Sequence, residues 1–225
     1  SMTEKAAGAD ATGMQTSAVL DGDEWVLNGE KWFSSSASVA DIAVVMAKTD
    51  PDAPRHEQYN TFIVELPNPG YQILRNIETM QPHTELGLKL GGSHSEINIE
   101  NLRVPRENLL GGRGQGFNMG QHRLAYGRLR HGMHNVAMAQ RALDLAAEHV
   151  SQRQTFGKRL ADRQGVRWML ADCASEIYKA RLVLLHIAYK AEKGMDIRNE
   201  NGIAKVFLAN MVHQVVDTAI QLHGA

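Results

Sequence analysis

The chain has 225 residues, is 43% hydrophobic and carries 24 Lys+Arg against 25 Asp+Glu, a formal charge of −1. That balance belongs to an ordinary globular chain, excludes a disordered or fibrous one, and gives no electrostatic reason to bind nucleic acid or an anionic membrane surface. The apolar runs fall far short of the ~20 residues of a spanning helix, so no membrane insertion is expected. One cysteine, Cys173, leaves no internal disulfide framework and suits a reducing compartment. No basic-then-apolar leader opens the chain.

The first half reads as β. Ser17–Leu20, Glu24–Leu27 and Lys31–Ser35 are short segments rich in Val, Leu, Trp and Phe, separated by Asp21-Gly22 and Asn28-Gly29, dipeptides suited to hairpin turns. Ile42–Lys48 and Thr61–Leu66 read as buried strands. Between them Thr49–Asn60, with two prolines and several charges, reads as an exposed loop. Pro67 to Gly70 is a turn. His94–Val104 alternates apolar residues with one slip near Asn101, the mark of a bulge. From Pro105 to Gly116 the chain is glycine-rich and reads as a connection between domains rather than a phosphate loop, because no strand–loop–helix context surrounds it.

After that connection the period becomes helical. One helix is predicted from about Phe117 to Val150, with Val136, Leu143, Ala146, Ala147 and Val150 on its apolar stripe. A second runs from about Asp162 to Glu192 and aligns Val166, Met169, Leu170, Cys173, Ile177, Leu184 and Ala188, with Gly194 as its stop. A third begins near Asn199 and carries Val206, Met211, Val215, Val216, Ala219 and Ile220. Three such helices leave an apolar face uncovered, since four is the common bundle solution.

Few residues announce chemistry by themselves. His131 and His134 sit at i, i+3, but no HExxH or CxxC accompanies them, and no metal site is expected. Cys173 falls on an apolar face and reads as a buried structural thiol. Three segments are less bland. Met2 to Asp10 is small and polar, suited to close approach by a ligand. Arg153-Gln154-Thr155-Phe156-Gly157-Lys158 offers a cation for a phosphate and an aromatic for a ring, or simply a helix C-terminus with its favoured cation and glycine. Gln221-Leu222-His223-Gly224 is a compact polar end to an apolar helix.

Met2-Thr3-Glu4 with Gly8-Ala9-Asp10 looks like an MTEPxxGSD segment, Asn28 to Ser35 like NGxKxWIT, and Val104 to Gly111 like VPxxNxLG. Gly127-Arg128, Arg153-Gln154-Thr155-Phe156-Gly157 and Gln221-Leu222-His223-Gly224 follow in register. Together these segments, over essentially the whole chain, resemble the acyl-CoA dehydrogenase family of flavoproteins. The resemblance implies an α+β fold: an antiparallel, barrel-like middle β-domain over residues 1–108, then an α-helical bundle over residues 113–225. It also implies that the family's N-terminal helical domain and the end of the bundle lie outside this chain, which would make it a central fragment, inactive alone.

The same resemblance implies FAD as cofactor and α,β-dehydrogenation of an acyl-CoA thioester, with hydride passing to flavin N5 and an electron-transfer flavoprotein or similar acceptor taking the electrons. The Met2 backbone and the Thr3 hydroxyl would contact the flavin ring. Phe33, where the family usually has Trp, would lie against it, and Ser35, where it usually has Thr, would hydrogen-bond near N5. Arg153 and Phe156, assisted by Gln164, would hold the pyrophosphate and adenine of a neighbouring subunit's FAD, with Gln221 and Gly224 beside them, so a homodimer or homotetramer is implied. Arg128 would line the acyl channel. Ala9 and Lys5 depart from the usual Ser and Pro. The family's catalytic carboxylate is expected after Ala225. The alternative site for it falls on Gly127, so no residue of this chain inherits that role. The pattern Arg123-Leu124 to His131 is similar to a long-chain subgroup. An acyl-CoA oxidase, a flavin monooxygenase or a non-catalytic flavin-binding relative would share the scaffold. The family implies a bacterial cytoplasm or a mitochondrial matrix as location.

Overall fold

The alternating segments of the first half assemble into one sheet. In the computed structural model, which describes residues 1–79 and 93–224, the strands are β1 (Ser17–Asp21), β2 (Glu24–Ser35), β3 (Ile42–Lys48), β4 (Tyr59–Glu65), β5 (Tyr71–Ile77), β6 (His94–Pro105) and β7 (Leu109–Leu110), ordered β5-β6-β2-β1-β3-β4-β7. Neighbours are antiparallel except β1 and β3, which meet in parallel at Ser17 and Lys48. The barrel-like expectation is corrected here. The sheet stays open, with β5 and the two-residue β7 at its edges, and closure requires the edge strands to pair. Its core is Trp25, Leu27, Val45, Phe62, Val64, Ile97, Ile99 and Leu102, with the Trp25 and Phe62 rings edge to face at 5.3 Å.

Asp21-Gly22 does open a hairpin, with Gly22 at φ +62°. Asn28-Gly29 does not turn: β2 runs straight through it. A Cβ on Gly29 would sit 2.6 Å from the Thr16 Cα, so glycine is required there for close approach of the backbone just before β1 rather than for reversal. The Asn28 side chain accepts the Asn101 N–H at 2.8 Å and so caps the expected bulge, where Asn101 takes φ +47°. β5 escaped the sequence reading because only its two end residues, Tyr71 and Ile77, are buried and no alternation marks it.

A second bulge has larger consequences. Lys31 pairs with Ile97 and Ser34 with Ser95, so Trp32 and Phe33 together oppose the single residue Glu96. Inward parity passes from Trp25, Leu27 and Lys31 to Ser34, while Phe33 and Ser35 are turned outward. Phe33 absorbs the extra residue at φ +56°.

The second half forms α1 (Gly116–Gln152), a hairpin of β8 (Gln154–Thr155) and β9 (Lys158–Arg159), α2 (Gln164–Glu192) and α3 (Arg198–His223). Chain contacts divide the molecule into Ser1–Gln121 and His122–Ala225. Val136, Ala139, Cys173, Ile177, Leu184, Leu208, Met211 and Val215 form the helical core. Gly132 lets the helices close, since a Cβ there would meet Leu208 and Leu184 at 2.7 and 2.8 Å. The stripes need correction at four places. Ala147 and Ala188 are exposed, and on α3 the buried row is Ala204, Leu208, Met211, Val215, Ala219 and Leu222, which leaves Val206 and Ile220 outside. Leu182, Leu185, Tyr189 and Ile203 are exposed as well.

Gly29→Ala should destabilise the sheet by about 1–3 kcal/mol, because the added methyl meets backbone rather than a mobile side chain. Urea unfolding measures it, and an unchanged midpoint would contradict the close approach.

Candidate functional site

Lys31 points into the core and is fully buried, a position where an ammonium needs a partner. Glu4, also buried, supplies it at 2.8 Å. The same carboxylate accepts the Gln15 and Thr16 N–H groups at 2.6 and 3.0 Å, and Lys31 Nζ also donates to the Met2 carbonyl at 3.2 Å. Burial alone would raise the Glu4 carboxyl, but Lys31 and hydrogen bonds from Gln15 and Thr16 hold it below its ordinary 4.5. Burial pushes Lys31 down, opposed only by Glu4. The pair pins the segment before β1. Trp32 N–H donates to the Thr3 carbonyl at 2.7 Å and Met46 N–H to the Ser1 carbonyl at 3.1 Å, so residues 1–3 fill the gap between β2 and β3 beyond the end of β1.

Four expected cofactor residues therefore meet on one part of the sheet. The Met2 side chain packs against the cluster of Ala7, Met14, Met46 and Tyr59. The Thr3 hydroxyl has no hydrogen-bond partner among the described residues. Phe33 is 45% exposed, and its strained φ costs on the order of 1–3 kcal/mol, which marks a position held for use. Ser35 is exposed, and its Oγ lies 3.0 Å from His94 Nδ1.

The other expected contacts gather at one end of the helical unit. Phe156-Gly157 is the tip of the β8–β9 hairpin, with φ +49° and +74°, the geometry of a type I′ turn. Phe156 is 98% exposed. A bulky aromatic with positive φ, wholly in solvent, gains nothing from its own fold. Arg163 braces the tip, donating to the Thr155 carbonyl at 2.6 Å with its guanidinium 5.8 Å from the Phe156 ring. Sequence reasoning missed this arginine, which no motif marks. Gln164 follows it as the first residue of α2. The Arg153 backbone joins α1 to the hairpin, while its guanidinium has no ion-pair or hydrogen-bond partner among the described residues. Gln221 and Gly224 come alongside because the His149 and His223 rings stack at 4.6 Å and Ala146, Val150, Ala219 and Leu222 pack together.

Arg128 is not part of the group at the end of the helical unit. It is exposed on α1, about 36 Å along the helix from Gln152 at ~1.5 Å per residue. Gly127 beside it has open space where a Cβ would be. Glu4 is unsuited to act as a base, since its carboxylate is buried, paired and held ionised. The Gly111–Gly116 loop uses its polar groups internally: Gly114 N–H donates to Asn60 Oδ1 at 2.7 Å, Gly112 N–H to Gln115 Oε1 at 3.1 Å, and Arg113 pairs with Asp50 at 2.7 Å. The loop lies within Ser1–Gln121, and the division between the two units falls later, inside α1. Cys173 is buried, and burial pushes its thiol up. Among the described residues no group of three or more His, Cys, Asp or Glu could hold a metal, and no helix is long and apolar enough to cross a membrane.

Two ligand surfaces thus stand out. One offers an aromatic face with hydroxyls beside it; the other offers an unpaired guanidinium beside an exposed aromatic.

The chain matches the acyl-CoA dehydrogenase middle domain over residues 1–101 and the acyl-CoA dehydrogenase C-terminal domain over residues 114–225. It is 36% identical to acyl-CoA dehydrogenase family member 11 of Gallus gallus, covering 99% of this chain and 29% of that protein. It is 35% identical to the caffeyl-CoA reductase-Etf complex subunit CarC of Acetobacterium woodii, covering 99% and 57%. An acyl-CoA dehydrogenase structure from Geobacillus kaustophilus superposes with a TM-score of 0.90 at 34% identity, over 100% of this chain and 57% of that one. The chain therefore spans between about a third and somewhat over half of these proteins.

Lys31→Ala should cost about 3–5 kcal/mol in urea unfolding, because it strands the Glu4 carboxylate. Glu4 binds its proton less tightly folded than unfolded, so its contribution is complete above pH 4.5 and is lost as pH falls below that value through the lower folded one. Glu4→Gln should flatten that acid limb in a pH series of unfolding midpoints; an unchanged limb would refute the assignment.

Proposed function

Because this chain belongs to the acyl-CoA dehydrogenase family, we propose that it binds FAD and serves the α,β-dehydrogenation of an acyl-CoA thioester. The observation that carries the reading is the β2 bulge, which turns Phe33 and Ser35 out of the core beside Thr3 at a cost in backbone strain. Bound FAD supplies the hydride acceptor.

The residues of this chain supply position. Phe33 packs one face of the flavin ring, the Thr3 and Ser35 hydroxyls hydrogen-bond its polar edge, and the Met2 backbone approaches it closely. Arg153 holds phosphate and Phe156 stacks on adenine, with Gln164, Gln221 and Gly224 completing that end. On this reading they serve the FAD of a second copy, so the active assembly is a homodimer or homotetramer. Arg128 lies beside the acyl thioester. Following the family resemblance, we assign the base that removes the α-proton to polypeptide after residue 225. Electrons leave to an electron-transfer flavoprotein or a similar acceptor, a reading supported by the relative named as part of an Etf complex.

The test is anaerobic titration of the parent polypeptide, loaded with FAD, with a panel of acyl-CoAs. Bleaching of the oxidised flavin band by one of them is the expected result. A protein that takes up no FAD, or one that no acyl-CoA bleaches, would refute the proposal. Arg153→Ala should weaken FAD binding about tenfold or more without lowering the unfolding midpoint, since its guanidinium has no partner among the described residues.

A further inference from the structure

Resting on the flavin reading above, we propose that His94 is a positioning residue that sets the direction of the Ser35 hydroxyl proton. Ser35 and His94 face each other across the β2–β6 ladder, and His94 Nδ1 lies 3.0 Å from Ser35 Oγ. The imidazole is half-buried and well held. The preceding Ser93 carbonyl accepts the Ser36 N–H at 2.9 Å, and its hydroxyl lies 2.9 Å from the Ser38 hydroxyl. The Phe33 ring meets the imidazole edge to face at 6.4 Å. The three side chains that the bulge and the start of β6 bring to this surface are thus one connected group.

A serine hydroxyl has a single proton and two lone pairs, and a neutral imidazole nitrogen either donates or accepts. If Ser35 donates to His94 Nδ1, it presents only lone pairs to a ligand. If His94 Nδ1–H donates to Ser35, the hydroxyl proton is free for a ligand acceptor. The imidazole tautomer therefore decides whether Ser35 donates or accepts toward the flavin edge. An aliphatic side chain at position 94 leaves the hydroxyl to rotate freely; an asparagine places an amide atom near the Nδ1 position and keeps both options.

The experiment uses the FAD-loaded parent protein and the acyl-CoA that bleaches it. The readouts are the flavin absorption spectrum, the flavin midpoint potential and the rate of anaerobic reduction. Ser35→Ala and His94→Leu should shift the spectrum and potential in the same direction and slow reduction about three- to tenfold, the scale of one misdirected hydrogen bond. His94→Asn should restore the wild-type values, and the double variant Ser35→Ala/His94→Leu should match Ser35→Ala. If Ser35→Ala shifts the flavin and His94→Leu does not, or if the two effects add, the role of His94 is overturned while the flavin reading stands. A His94→Asn variant that behaves like His94→Leu overturns it as well. If Ser35→Ala itself leaves the flavin unchanged, the placement of Ser35 fails first and takes this inference with it.

Discussion

An ammonium group at a core-facing position of a strand cannot be left unpaired, and the sheet site is arranged around that constraint. Lys31 lies on the same inward parity as Trp25 and Leu27, where the other side chains are apolar. Glu4 answers it, and in doing so fixes the chain before β1: the carboxylate binds Lys31 and two backbone N–H groups, while Lys31 reaches on to the Met2 carbonyl. A segment too small and polar to have a core face of its own is thereby held between β2 and β3. Exchange of such a pair for apolar residues is often neutral for stability, so its value here is that it specifies where Met2 and Thr3 lie.

Strand parity then sets what the surface displays. Without the bulge at Trp32-Phe33, the alternation that buries Lys31 would bury Phe33 and Ser35 too. One extra residue reverses that, and a non-glycine residue with positive φ absorbs it. The same device recurs at the hairpin tip, where Phe156 takes a positive φ in full exposure, braced from behind by Arg163. In both places an aromatic ring is presented outward by backbone that its own fold would not favour, and each lies within a segment with a counterpart in the acyl-CoA dehydrogenase domains.

The helical unit has a corresponding economy. Small residues at Gly132, Ala139, Ala180 and Ala204 let the helices pack closely, and the stacked His149 and His223 rings tie the end of α1 to the end of α3. Arg153, Phe156, Gln164, Gln221 and Gly224, scattered over some seventy positions of sequence, become one surface because those ends meet. Arg128 stays apart from them because a rigid helix separates it from Arg153.

Much of this was legible in the residues. The β-then-helix order, the three long helices, the Asn101 bulge and the buried Cys173 follow from period, turn chemistry and composition, which are local properties of the chain. The residues expected to serve a cofactor were legible only through family resemblance, because a lone Phe or Arg in a turn has many uses. Tertiary structure decided the rest. Asn28-Gly29 became a close approach rather than a turn because Thr16 lies against it. Among the described residues the sheet stayed open because its edges do not pair, and Val206 and Ile220 faced outward because the packing of α3 selected a different row. Lys31 with Glu4, Arg163 with Phe156 and His94 with Ser35 are partnerships between residues distant or unmarked in sequence. Such pairs depend on strand register and chain reversal, which period and propensity along one strand do not encode.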